Sequence, residues 1–350
     1  MIKFGKKAQD ILSIKKNFLL ENKKLFSWQK KLFKIYNNQP KRKFCKNCER
    51  KLAGSKFRKL NIVYVICNKC GHFNGIKDDT KKLSEIFYQT SEQKKYSSIY
   101  KEAEKKNYIN RVKKIYIPKV QFFLEVLKKY ISKKHINNME FIDIGCGSGY
   151  YISAMKRMGI KNFWGIDPSK SMVDYGNKIN KFKKLNFVDH TKTVEVIKSI
   201  NSKKNICISM IGSLEHIYNQ NEILKKIKKN KKVKFLYIVV PCFSPSSIIE
   251  LVFNDNFQRL LAPQHTHLYT YKSLKFLEKK FNLKIIGEWW FGADIVDLFR
   301  NFYISIQKNK ENKNNLKIFE DMFLDLLDPI QLTIDKKKLS SEAHLIFKVN

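Results

Sequence analysis

Three groups of residues in this chain have types and spacings suited to chemistry. The first is Phe141-Ile142-Asp143-Ile144-Gly145-Cys146-Gly147-Ser148-Gly149-Tyr150, an apolar run with one acid that meets three glycines spaced two apart. Glycine tolerates positive φ and carries no Cβ, so alternating glycines make a floor on which a ligand can lie against bare peptide. A helix start just beyond adds unpaired N–H groups and partial positive charge. The second group is Cys45-Lys46-Asn47-Cys48 with Cys67-Asn68-Lys69-Cys70, two Cys-x-x-Cys pairs eighteen residues apart. That spacing matches a zinc ribbon, in which four thiolates close a tetrahedral shell and the ion is structural. His72 could compete as a ligand, although four cysteines suffice. The third group is histidine: His216 follows one apolar run, and His265 and His267 follow the next in Pro263-Gln264-His265-Thr266-His267-Leu268-Tyr269. Histidine is the natural proton acceptor near neutral pH. Glu215 and Tyr269 are weaker candidates, and His190 sits beside Asp189.

Short strands must carry these residues. The glycines follow a buried strand and open a helix. Phe163-Trp164-Gly165-Ile166-Asp167 is a second strand, about twenty residues on, ending in a carboxylate. A carboxylate at that strand end can accept both hydroxyls of a ribose. Equally, Asp167 before Pro168-Ser169 can cap the next helix. Leu185 to Val188, Ile206 to Ile211, Phe235 to Val240, Phe281 to Trp290 and Ala343 to Val349 complete the strand set, with helical segments between most of them. Alternation of strand and helix implies right-handed crossovers and a mostly parallel sheet, and the continuous apolar run Phe235 to Val240 suits a strand covered on both faces. The loop is not a dinucleotide fingerprint: the third glycine would fall at Tyr150 or Ile152. Nor is it a P-loop, which needs Gly-Lys-Ser/Thr.

The glycine turn resembles motif I of the class I S-adenosylmethionine-dependent methyltransferases, apolar-Asp-apolar-Gly-x-Gly-x-Gly. Ile206 to Ile211, followed by Gly212-Ser213-Leu214-Glu215-His216, resembles the family's motif IV and its frequent Leu-Glu-His. The resemblance covers roughly residues 115–350. It implies an α/β fold, a Rossmann-like doubly wound sheet of seven strands with the last reversed. It also implies that Asp143, Gly145, Cys146, Gly147, Gly149, Asp167, Asp189 and Ile211 bind S-adenosylmethionine, with Asp167 on the ribose and Asp189 on the adenine amino group. His267 and His265, then His216, are the candidate catalytic residues. A cysteine ribbon before such a core, joined by the aromatic segment Tyr96 to Tyr108, is similar to bacterial enzymes that methylate sugars or related metabolites of surface polysaccharides. A sugar or nucleotide sugar is therefore the favoured acceptor. An RNA or ribosome methyltransferase is the alternative, although Ile211-Gly212-Ser213-Leu214 stands where exocyclic-base enzymes carry Asn/Asp-Pro-Pro-Tyr/Phe. A non-catalytic binding protein is a further one, against which the intact glycines and Asp167 argue.

The net charge of +39 invites a nucleic-acid reading. Only seven of the basic residues are arginine. Lysine abundant beside asparagine and isoleucine is the mark of A/T-rich coding, whereas bidentate phosphate and base contacts favour arginine. Residues 1–40 read as a basic amphipathic helical segment, able to cover an apolar patch or lie on an anionic membrane surface. Residues 41–76 form the ribbon, entered through the linker 37–43, and 77–114 a helical connector. Residues 115–350 are the methyltransferase core, interrupted by a polar surface loop from Lys308 to Asn315. No apolar run is long enough to span a bilayer and no signal peptide is evident, so a cytoplasmic protein with reduced cysteines is expected.

Overall fold

The structure is a computed structural model; it describes residues 1–12, 18–59, 62–89, 105–200, 202–257, 259–262, 265–309, 311 and 313–350. Most of the expected joining segment, 96–104, lies outside these residues, as do Pro263 and Gln264 of the histidine segment.

The core is an eight-stranded sheet. In chain order its strands are β1 (Ile2–Phe4), β5 (Glu140–Ile144), β6 (Phe163–Asp167), β7 (Leu185–Phe187), β8 (Ile206–Ile211), β9 (Val233–Pro241), β11 (Lys284–Phe291) and β12 (Glu342–Lys348). Across the sheet the order is β1-β11-β12-β9-β8-β5-β6-β7. Every neighbouring pair is parallel except those made by β12, which runs antiparallel to both β9 and β11. The reversed last strand is thus present, and the sheet carries one strand more than the expected seven. That strand comes from residues 1–40, read above as a separate helical segment: β1 extends the open edge of β11, pairing Ile2 with Glu288 and Phe4 with Trp290.

Alternation along the strands sets the two faces, because successive side chains point to opposite sides. In β9, Phe235, Tyr237 and Val239 join one buried cluster with Phe122, Phe123 and Phe141. Leu236, Ile238 and Val240 join another, with Ile142, Ile144 and Leu224. Both faces are apolar and helix-covered, as a parallel sheet requires.

The small sheet holds β2 (Lys56–Lys59), β3 (Ile62–Ile66), β4 (Phe73–Gly75) and β10 (His267–Leu268), in the order β10-β4-β3-β2. Its fourth strand comes from the core, so the ribbon and the core share a sheet. Hydrogen bonds extend the junction: Asn47 Nδ2 donates to Ser273 O at 3.0 Å, Asn221 Nδ2 to Lys46 O at 2.9 Å and Thr270 Oγ1 to Gly71 O at 2.9 Å. The long helix Phe18–Asn37 buries Phe33 and Tyr36 against this module. Helix Asp294–Lys308 ends where the polar stretch begins, and residues 313–315 form a single 3₁₀ turn.

Candidate active site

At the carboxyl end of the sheet β5 gives way to Gly145 at φ +75°, whose N–H, like that of Cys146, donates to Ile166 O. A Cβ on Gly145 would stand 2.9 Å from Ser213 Oγ and nearer still to its Cβ. Ser213 is itself pinned, donating from Oγ to Ile144 O at 2.6 Å. Only glycine lets the loop after β5 close on the loop after β8. Gly147 also has positive φ, +53°, but a Cβ there would meet nothing nearer than Met172 Cε at 3.7 Å.

Asp167 ends β6 and braces this turn. Its Oδ2 accepts from Gly147 N at 2.7 Å and its Oδ1 from Ser169 N at 2.8 Å. The cap of the next helix is Ser169, whose side chain accepts from Met172 N, and each Asp167 oxygen keeps a further lone pair for a ligand hydroxyl. Burial pushes its carboxyl up to about 6 against the pull of those two N–H groups.

Gly145, Gly147 and Asp167 line a cavity of about 270 Å³. Ile166, Met172, Val188 and Ile217 make apolar walls, and Ser213, His216 and His265 stand on the side of β8 and the loop beyond β9. The rings of His216 and His265 are 5.0 Å apart between centroids. Glu215, buried behind His216, brings Oε1 to 3.8 Å from His216 Nε2. Burial raises the Glu215 carboxyl to about 8 and lowers His265 to about 4. His265 Nδ1 lies 3.3 Å from Leu260 O. A carbonyl only accepts, so Nδ1 carries the proton and Nε2 the lone pair.

The other expected site residues lie off the cavity wall. Asp143 is fully buried in β5 and accepts from Ser209 Oγ at 2.7 Å; desolvation lifts its carboxyl to about 7. Cys146 packs its sulfur against Gly165, and Gly149 starts helix Tyr150–Arg157 at φ +76° with Leu185 against it. Asp189 turns back to accept from Thr191 N at 2.9 Å, while its neighbours Val188 and His190 face the cavity. Ile211 packs on the Phe141 cluster. His267 is the largest departure from expectation. It has no exposed surface and sits in β10 opposite Asn74, with Nδ1 2.9 Å from His72 Nε2. Strand pairing with the ribbon turns it away from His265, so the two histidines expected together are separated.

A family model described as a methyltransferase domain matches residues 111–288, just over half of the chain. The chain belongs to this methyltransferase family. A tRNA U34 carboxymethyltransferase of Nautilia profundicola is 35% identical over 104 residues, 29% of this methyltransferase and 34% of that protein. The chain thus spans about a third of the length of that relative. Among solved structures, the plantazolicin methyltransferase BpumL, in complex with a monoazolic desmethylPZN analog and SAH, is 17% identical with a TM-score of 0.44, covering 77% of this chain and 94% of that one. A SAM dependent methyltransferase from Archaeoglobus fulgidus is 18% identical with a TM-score of 0.39, covering 65% and 93%.

The methyltransferase's own residues fit its cofactor. The cavity offers bare peptide at Gly145 and Gly147, a carboxylate with lone pairs left for hydroxyls, and apolar walls broad enough to flank an aromatic base. The cysteines fit zinc as well. Cys45 and Cys70 sulfurs are 3.6 Å apart, and those of Cys48 and Cys67 3.7 Å. A tetrahedral ion with bonds of about 2.3 Å spaces its sulfurs by about 3.8 Å. All four are buried and none is in a disulfide. Among the described residues no helix is long and apolar enough to cross a membrane.

Several residues that shape the site were not expected there from the sequence, which marked Trp28 and Leu32 only as part of an amphipathic covering helix and Tyr108 only as part of a joining segment. Trp28 and Leu32 of helix Phe18–Asn37, with Phe87 and Phe257, add large apolar side chains to the cavity lining. Tyr108 donates to Ser148 O at 2.9 Å and stacks on Tyr150, holding the glycine turn from outside. Glu250 accepts from the backbone N–H groups of Arg259, Leu260 and Leu261, which fixes the loop whose Leu260 carbonyl orients His265. Arg259 in turn is bound to Asp297 at 2.6 Å. Only the type of Phe87 and Trp28, large apolar side chains at helical spacing, could have suggested a covering role.

Proposed function

We propose that this methyltransferase acts on a hydroxyl or carbon of a sugar or similar small metabolite. The observation that carries the reading is the lining of the cavity: the large apolar side chains of Trp28, Leu32, Phe87 and Phe257 share it with Gly145, Gly147 and Asp167. A pocket of about 270 Å³ with a mainly apolar lining suits a small molecule beside the cofactor better than a charged polymer backbone. Bound S-adenosylmethionine supplies an electrophilic methyl group on a sulfonium. Asp167 accepts the ribose hydroxyls, Gly145 and Gly147 lie beneath the methionine part, and the Val188–His190 segment flanks the adenine. Ser213 holds the two strand ends at one spacing, which fixes where acceptor and methyl meet; alignment of this kind is worth much of the barrier in a displacement. Glu215, His216 and His265 form the acceptor side and activate the attacking group.

The test is release of S-adenosylhomocysteine when the purified protein and S-adenosylmethionine meet a panel of nucleotide sugars and polar metabolites. His265→Ala should lower turnover on the accepted compound about 10²–10⁴-fold while cofactor affinity stays constant. RNA is the second reading, favoured by the net charge and by the tRNA-acting relative over its short match. Turnover on RNA, with none on any small molecule, would replace the first.

A further inference from the structure

We infer that Glu215, His216 and His265 form a binding site for a divalent transition-metal cation, distinct from the zinc ribbon and open to the cavity. Each of the three contributes one ligand atom, and the three atoms lie within 4.8 Å of one another. Two imidazoles and one carboxylate are a ligand set used by zinc and by other first-row cations, with positions left free for water or an acceptor.

Four features distinguish this from a chance cluster. The Glu215 carboxylate is 3% exposed and its Oε2 has no partner. A buried carboxyl with an unpartnered oxygen leaves a ligand atom free, and a cation meeting it would hold it ionised. The cation whose charge reaches it, Lys119, is committed to Glu342 at 3.0 Å. Secondly, His265 already has the arrangement of a ligating histidine: one ring N–H held by a backbone carbonyl, the other nitrogen left with its lone pair. Thirdly, that carbonyl belongs to a turn which Glu250 clamps through three backbone N–H groups. The ring is therefore positioned before any ligand arrives. Finally, the separation of 3.8 Å between Glu215 Oε1 and His216 Nε2 is close to the edge of about 3.4 Å expected for tetrahedral bonds near 2.1 Å. Small side-chain rotations close the remainder.

The inference rests on the reading of this wall as the acceptor side. A cation here would take an acceptor oxygen into its open position and lower the pKa of that hydroxyl, so the three side chains would activate it through the ion.

Full-length protein whose ribbon carries one zinc is titrated with Zn²⁺ and, separately, Co²⁺ in a calorimeter. One further saturable equivalent is expected in the wild type and in His135→Ala, which removes a surface histidine. In Glu215→Gln and in His265→Ala that equivalent should bind about 100-fold more weakly or not at all, with cofactor affinity and the first zinc retained. Absence of a second equivalent in the wild type, or its survival in both variants, overturns the inference. If no second equivalent binds yet His265→Ala still lowers turnover, the acceptor-side reading survives and the cation does not. If the equivalent binds and its removal leaves turnover unchanged on the true acceptor, the site exists but the acceptor-side role fails.

Discussion

Two glycines of one turn should respond oppositely to the same substitution. Gly145 and Gly147 both have positive φ, +75° and +53°. An alanine in that region costs about 1–2 kcal/mol, offset by about 0.4–1 kcal/mol because alanine also restricts the unfolded chain. At Gly147 the new methyl finds space, with Met172 Cε at 3.7 Å, so the net loss of stability should be about 1 kcal/mol or less. The methyl would stand on the cavity floor, however, where the cofactor must touch peptide. Forcing one extra methyl into a packed contact costs about 1–3 kcal/mol, which raises Kd about 5–150-fold. At Gly145 the methyl meets Ser213, which is tied to Ile144 O and cannot swing away. Strain and overlap together amount to about 2–5 kcal/mol, a large share of a domain's stability. Denaturant unfolding and calorimetric titration with S-adenosylhomocysteine measure both effects. Wild-type affinity in Gly147→Ala would show that the cofactor does not lie on this turn. Equal stability of the two variants would refute the claim that Ser213 closes the loop.

Asp167→Ala should weaken cofactor binding by about 1.5–3 kcal/mol for each charged hydrogen bond lost. Burial raises the carboxyl of Asp167 to about 6, and on the proposed role it would accept the ribose hydroxyls in its ionised form. Affinity should therefore be full above that value and fall as pH drops through it; an affinity constant from pH 7 to 5 would count against Asp167 as the ribose ligand. Cys45→Ser should lose the ribbon zinc and unfold that module, since binding energy there is folding energy. Because β10 belongs to the ribbon's sheet, the variant should also lose order at His265 and with it turnover, whereas an independent ribbon would leave turnover intact. Elemental analysis, with amide exchange at Leu268, reads both effects. RNA should bind weakly and lose most of its affinity between 50 and about 200 mM salt, as unspecific lysine–phosphate contacts do. A tight, sequence-selective complex at physiological salt would favour the RNA reading.

Local patterns made the fold and two of its binding features legible. Strand positions, the glycine turn and Asp167 at the end of β6 follow from short-range physics: side-chain alternation, glycine's freedom at positive φ, and a carboxylate at a strand end. The cysteine pairs needed only their spacing, because a tetrahedral ion demands two knuckles whatever lies between them. Period alone could also mark Phe18–Asn37 as amphipathic. It could not say what its apolar face covers, and part of the answer is the active cavity, through Trp28 and Leu32.

What the sequence could not decide was set by contacts between distant segments. His265 and His267 are two residues apart, and in a strand-like stretch nothing local separates their roles. Pairing of His267–Leu268 with Phe73–Asn74, almost 200 residues earlier, places one histidine in the ribbon junction and leaves the other at the cavity. The eighth strand has the same origin: Ile2–Phe4 carries little β signal, and the open edge of β11 recruits it. Glu250 reads as an ordinary surface-type residue in the chain and Glu215 only as a weaker candidate for chemistry, yet both are buried, one clamping a turn and the other beside two imidazoles. Sequence alone therefore determined the methyltransferase fold, the glycine turn and the zinc ligands, because each depends on residues close in the chain or on one spacing. The tertiary structure alone decided which histidines share the cavity and what else lines it, because those depend on strand pairing and burial across the whole molecule.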